Sequence, residues 1–285
     1  MTSTPKVEDI ILTHAETRGI DKLRPSLPSE FCLIAARDIV FQLGSVDSPT
    51  ALIATGFYVN GAPETDGPPG AYFLYQTLKS LGFSSKIITD ALCAVLFDGI
   101  IPPTDLLIAP YQVEDEGTWR SSVFEYFSPT LLIAVECCGR TRKGNYCDMR
   151  KNDISPFTAP IDTLFLSPPP TSLTIGIGDG GNEIGMGKLE REITHLLDIT
   201  PCIISTTHLV IATVSNWGAW GLIRYLELLT EIPCLPSHEA MAWFLDHIVS
   251  KGAVDGISGQ NVRKVDGYTL KQIKQVLSRL KECWL

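Results

Sequence analysis

The sequence predicts an α/β fold, a mostly parallel sheet flanked by helices with the ligand site at the carboxyl edge of the strands. Two observations carry this. Short apolar, β-branched-rich runs alternate with longer amphipathic segments along the 285 residues, which is the pattern of βαβ units. The runs are apolar throughout, as expected of strands covered by helices on both faces.

Taken in order, strands are expected at 51–55, 86–89, 105–109, 130–136, 172–177, 202–205 and 209–214. Helices are expected at 7–18, 28–43, 70–81, 91–97, 118–127, 182–197, 216–230, 237–251 and 269–281. Ser237 and Thr269 suit helix N-caps, and Gly82 and Gly252 suit the position just past a helix end. The chain reads as a single domain over 1–285. Pro168-Pro169-Pro170 marks either a lobe boundary near 167–171 or a stiff surface loop.

Composition narrows the function. A hydrophobic fraction of 45% allows a sizeable core. A net charge of −9 argues against a nucleic-acid partner, whose phosphates need a basic surface. No uncharged apolar run reaches the ~18 residues of a membrane span. The first ten residues lack a basic-then-apolar leader and are not Arg-rich, which disfavours a targeting peptide. None of the eight Cys stands in a C-x-x-C pair, and several lie in apolar runs, as in Phe31-Cys32-Leu33. This is the usage of buried thiols in a reducing compartment. The expectation is an intracellular, cytoplasmic protein, with the mitochondrial matrix as the alternative, compatible with a homo-oligomer.

Four connections carry chemistry. Between a strand and a helix, Glu64-Thr65-Asp66-Gly67-Pro68-Pro69-Gly70 holds two acids in a stiff loop, where ligands of parallel sheets bind. Asp90 follows the next strand, as an N-cap or as a ligand to whatever fills the crevice. Glu136 ends a third strand and precedes a basic loop in which Arg140 and Arg150 are candidates to clamp a substrate carboxylate.

The fourth is Gly176-Ile177-Gly178-Asp179-Gly180-Gly181-Asn182-Glu183-Ile184-Gly185-Met186-Gly187-Lys188. Gly176, Gly178 and Gly181 satisfy G-x-G-x-x-G. Asp179 and Glu183 would face the pyrophosphate that such a turn must attract, so no nucleotide cofactor is expected. The glycines instead bring backbone N–H groups and acids up to a small polar substrate or a cation. Carboxylates with Asn182 are hard ligands suited to Mg²⁺, Mn²⁺ or Ca²⁺. Candidate metal ligands are Glu64, Asp66, Asp90, Asp179 and Glu183. His208, opening a strand, is an acid/base candidate or a capping histidine, and Asn216 lies on the carboxyl edge within reach of a ligand.

The loop from Glu64 to Gly70, the decapeptide Gly178-Asp179-Gly180-Gly181-Asn182-Glu183-Ile184-Gly185-Met186-Gly187 and Val214-Ser215-Asn216-Trp217-Gly218 together resemble the D-glutamate cyclase family. The resemblance runs from Arg18 to Gly256. It implies a lyase, a hydro-lyase interconverting D-glutamate and 5-oxo-D-proline plus water. In some relatives a second, hydro-lyase-like domain precedes this one. In the family pattern an Arg follows the acid at the position of Glu136, where this chain has Cys137. Some relatives of this fold resemble divalent-metal-dependent phosphatases, which keeps that activity, and non-catalytic binding of an acidic metabolite, as alternatives.

Cyclisation needs a base for the α-ammonium, raised in pKa by burial or like charge, for which Asp179, Glu183, Glu136 and His208 are the candidates. It also needs donors for an oxyanion, for which the backbone of Gly180 and Gly181 or a cation would serve. Arg140 or Arg150 would hold the α-carboxylate.

Overall fold

A computed structural model describes residues 6–285. The strands are β1 (Thr50–Gly56), β2 (Tyr58–Val59), β3 (Ala62–Pro63), β4 (Ser84–Asp90), β5 (Leu106–Ala109), β6 (Leu131–Cys137), β7 (Leu173–Gly178), β8 (His208–Ile211), β9 (Lys264–Val265) and β10 (Tyr268–Thr269). The helices are α1 (Val7–Ile11), α2 (Phe31–Ser45), α3 (Pro68–Ser80), α4 (Ala91–Ala94), α5 (Glu116–Tyr126), α6 (Thr163–Leu166), α7 (Glu190–Leu196), α8 (Ser215–Thr230), α9 (His238–Ser250) and α10 (Leu270–Lys281).

Six strands form one parallel sheet in the order β5-β4-β1-β6-β7-β8. The chain builds outward from β1 through β4 to β5, then returns to β1's other side and builds outward again. The order therefore reverses between β1 and β6, and a crevice opens there beyond the strands' carboxyl ends. β6 is buried along its whole length and β1 after its first residue, as the unbroken apolar runs require. Helices α3 and α8 lie against the central strands, with α2 packed on α8 and β8. Trp217 and Trp220 of α8 are almost fully buried, each such side chain contributing about 2–3 kcal/mol or more by area. Seven of the eight cysteines are buried. No helix of the described residues is long and apolar enough to cross a membrane.

Three expectations fail in detail. The segment 202–205 is not a strand. Its backbone bonds to the glycine-rich loop instead, Cys202 N to Gly181 O at 2.9 Å and Gly185 N to Ile204 O at 2.9 Å. The helix expected over 182–197 begins only at Glu190, because residues 183–186 fold back over β7. Gly176 permits this: a Cβ there would meet Ile184 O at 2.4 Å. The helix expected over 7–18 stops at Ile11, and His14 takes a left-handed conformation at φ 66°.

The G-x-G-x-x-G run thus follows the fifth strand of the sheet rather than the first, and no helix N-terminus follows it. Both features of a dinucleotide-binding turn are missing.

Candidate active site

Asp66 stands in the loop from the β2–β3 hairpin into α3, facing the start of α8. Its carboxylate accepts N–H bonds from Gly67 (3.0 Å), Ser215 (2.8 Å) and Asn216 (2.9 Å). The last two are orphan donors of the first turn of α8, where an anion is favoured. Asn216 answers from the other side. Its Oδ1 accepts from Gly67 (3.2 Å) and Gly70 (2.7 Å), and its Nδ2 donates to Thr65 O (3.2 Å). Asn216 therefore caps α3 and locks the loop. Gly67, at φ 92°, is obligatory, since a Cβ would meet the Glu136 Cβ and Thr55 Oγ1 at 2.8 Å each.

Glu136 is the extra residue of a β-bulge. Thr55 pairs with Val135 and Gly56 with Cys137, so Glu136 has no partner in β1. It adopts φ 44°, rare for a non-glycine residue. The bulge breaks the alternation of β6 and aims the carboxylate into the crevice. Ser215 Oγ donates to Glu136 Oε2 at 2.5 Å.

Asp179, just after β7, completes the centre. Oxygens of Asp66, Glu136 and Asp179 lie within 4.8 Å of one another, all buried. Arg18 Nη1 donates to Asp179 Oδ2 at 2.8 Å and to Asp266 Oδ2 at 2.5 Å. Asp179 Oδ1 is buried with no partner, an unfilled acceptor that a cation or a proton would satisfy.

One arginine faces several buried acids, and the electrostatics follow. Burial holds Glu136 well above the usual carboxylate range, helped by the charges of Glu183, Glu64 and Asp66. Burial does the same for Glu64, with Asp266 and Asp66 adding. Asp179 is raised by burial although Arg18 pulls it back. Burial and Asp266 push Asp66 up to about 7 against its three backbone donors. Burial opposes the charge of Arg18, but Asp179, Asp266, Glu136 and Glu183 more than offset this.

A raised carboxyl binds its proton more tightly folded than unfolded. Its stabilising contribution is therefore full below the unfolded pKa and is lost as pH rises through the folded one. Metal-free protein is expected to lose thermal stability between pH 5 and 8, and a saturating divalent cation is expected to flatten that slope. Melting curves across this range check it. A metal-free Tm that rises toward pH 8 would contradict the assignment.

Glu183 has another task. Its Oε1 accepts from Gly180 N (2.7 Å) and Asp179 N (3.4 Å), and its Oε2 from Gly181 N (2.7 Å). Both oxygens and the two glycine N–H groups are consumed in holding the turn. Glu183 thus stands outside the three-carboxylate centre, and Gly180 and Gly181 are not free oxyanion donors. Glu183→Gln would set an NH₂ against a backbone N–H, so a loss of about 1–3 kcal/mol in unfolding free energy is expected. Wild-type stability by denaturant titration would return Glu183 to the reacting groups.

The structure separates the other expected residues. Asp90 ends β4 on the correct edge but caps α4, accepting from Cys93 N at 2.8 Å, and it does not join the centre. Arg140 is spent on Asp162 (2.7 Å) and Glu116 (2.8 Å), so its fork is closed to substrate. His208 lies at the amino end of β8, on the opposite edge of the sheet, bonded to Asp38 at 2.6 Å. That position removes it from acid/base work at the centre.

Arg150, Asn182 and Glu64 do reach the site. With Arg18, Glu136 and Tyr58 they line a pocket of about 220 Å³. Arg18 is committed to two carboxylates and Arg150 to none among the described residues. Sequence reasoning missed Arg18, Ser215 and Asp266 as site residues. Asp266 takes φ 50° in the two-residue turn between β9 and β10. Arg18 lies far from every glycine-rich loop, and nothing local marks it.

The family described as D-glutamate cyclase-like, C-terminal, matches residues 7–281. The chain is similar to the D-glutamate cyclase, mitochondrial, of Homo sapiens, at 36% identity over 202 residues, 63% of this chain and 33% of that protein. It therefore spans about a third of that relative's length. A solved structure, an exopolyphosphatase-related protein from Bacteroides fragilis, aligns with a TM-score of 0.43 and 11% identity, covering 87% of this chain and 56% of the other.

Proposed function

Since this chain belongs to the D-glutamate cyclase-like, C-terminal family, we propose that it is a lyase interconverting D-glutamate and 5-oxo-D-proline plus water. The observation that carries this reading is Glu136. It lines the pocket, stands on a strained bulge, and lies within 4.8 Å of two further buried carboxylates.

Forming the ring joins the α-nitrogen to the γ-carboxyl carbon and breaks one C–O bond. Two protons leave the nitrogen, and two arrive on the departing oxygen, which leaves as water. Glu136 and Glu64 both line the pocket, and both have raised proton affinity. One takes a proton from the ammonium while the other gives one to the oxygen, and hydrolysis reverses the roles. Arg150 holds the α-carboxylate. The acid lining favours the ammonium, which selects an amino acid over a simple diacid.

A divalent cation fits the centre because its donors are all oxygens and Asp179 Oδ1 has no partner. Asp66, Glu136 and Asp179 would hold it, Glu136 then serving as a ligand and leaving proton transfer to Glu64, and Mg²⁺, Mn²⁺ or Ca²⁺ is the class such donors suit. When bound, it would supply Lewis-acid polarisation of a carboxyl oxygen.

The test is turnover by purified protein of D-glutamate, L-glutamate and 5-oxo-D-proline, after chelation and again with Mg²⁺ or Mn²⁺ restored. Interconversion of the D-compounds supports the proposal. Inertness toward all three under both conditions would overturn it, and cleavage of phosphate esters with added metal would assign the same acids to a phosphatase.

A further inference from the structure

A second cavity, of about 810 Å³, lies behind the wall of the active site. His14, Trp217, Tyr268, Lys271, Lys274 and Arg279 are among the residues that line it. In a chain of net charge −9, its lining includes no carboxylate. The volume falls within the range of small-molecule sites. Tyr268 supplies the aromatic wall, backed by the almost fully buried Trp217 with ring centroids 4.8 Å apart.

The cations set the size of the ligand. Lys271, Lys274 and Arg279 sit on α10 at i, i+3 and i+8, which brings them to one side of the helix. Lys271 and Arg279 are separated by roughly 12 Å along the axis, eight residues at about 1.5 Å each. A single phosphate reaches one end of that row. A chain of two or three phosphates on a flat apolar body spans it and still meets the aromatic wall. We propose that this groove binds an aromatic organic polyphosphate of the nucleotide class, as a site separate from the catalytic pocket.

Three chain segments each serve both cavities. His14 lines the groove, and Arg18, four residues on, lines the catalytic pocket. Tyr268 lines the groove, while Asp266, two residues earlier in the same hairpin, holds Arg18. Trp217 lines the groove, while Ser215 and Asn216 bond to Glu136 and Asp66. A ligand that orders these segments from behind changes the freedom of the groups in front, which is the physical basis for regulation.

The experiment uses the full chain in chelated, metal-free buffer, so that phosphates do not report on the acid centre. ATP, ADP, AMP, pyrophosphate, inorganic phosphate and adenosine are titrated by calorimetry and thermal shift. ADP or ATP is expected to raise Tm by about 5–10 °C at roughly 100 times Kd. AMP and pyrophosphate are expected to bind at least about tenfold more weakly, and adenosine least. Lys271→Ala/Lys274→Ala, which changes no catalytic group, is expected to weaken ADP binding by about tenfold or more. Hydrogen exchange at 14–18 and 265–268 is expected to slow on binding in wild type alone. No Tm response to any probe, undiminished binding by the double variant, or adenosine binding as well as ADP would each overturn the proposal. None of these readouts requires the cyclase reading to hold.

Discussion

Glu136→Gln is expected to lower D-glutamate cyclisation by about 10²-fold or more while leaving Tm equal to or above that of wild type. The two effects come from one cause. Glu136 is buried at φ 44° and faces the charges of Glu183, Glu64 and Asp66. Such an arrangement costs folding free energy, and a protein keeps it when the proton affinity it creates is used. The amide keeps the size of the side chain and an oxygen to accept from Ser215, which donates at 2.5 Å. It removes the like-charge repulsion together with the base. A merely structural acid at this bulge would behave in the opposite way, losing stability and leaving turnover in the surviving fraction intact. Steady-state kinetics beside a melting curve separate the two, and wild-type kcat would remove Glu136 from the chemistry.

Arg18→Met is expected to destabilise the metal-free protein by about 3–5 kcal/mol, near 10 °C in Tm for a chain of this size. The guanidinium is the positive group bonded to Asp179 and Asp266, whose side chains are 0% and 6% exposed. Methionine fills similar space without charge, so the loss reports an uncompensated buried charge rather than a cavity. The same substitution clears a cation from beside the three carboxylates. Added Mg²⁺ or Mn²⁺ is therefore expected to restore more stability to the variant than it adds to wild type. An unchanged Tm would show that the acids are neutral without Arg18. A drop that no divalent cation recovers would argue against a metal at Asp66, Glu136 and Asp179.

The sequence by itself determined the layers and the edge. Apolar runs such as Leu131-Leu132-Ile133-Ala134-Val135 report burial on both faces, and burial on both faces belongs to a parallel sheet under helices. Because such a sheet presents its loops at one edge, Asp66, Glu136 and Asp179 were identifiable as one-edge residues from their place after a strand or in a strand-to-helix loop.

The tertiary structure alone decided which acids share the centre. Glu136 enters through a bulge that exists only in the pairing of β6 with β1. Glu183 leaves because the chain folds back over Gly176 and turns its carboxylate onto three backbone N–H groups. Arg18 and Asp266 arrive from the two ends of the chain, 248 residues apart. No local pattern encodes a contact at that separation. Spacing along a strand or helix fixes where a side chain starts, while its charge partner is fixed by which distant segment packs beside it.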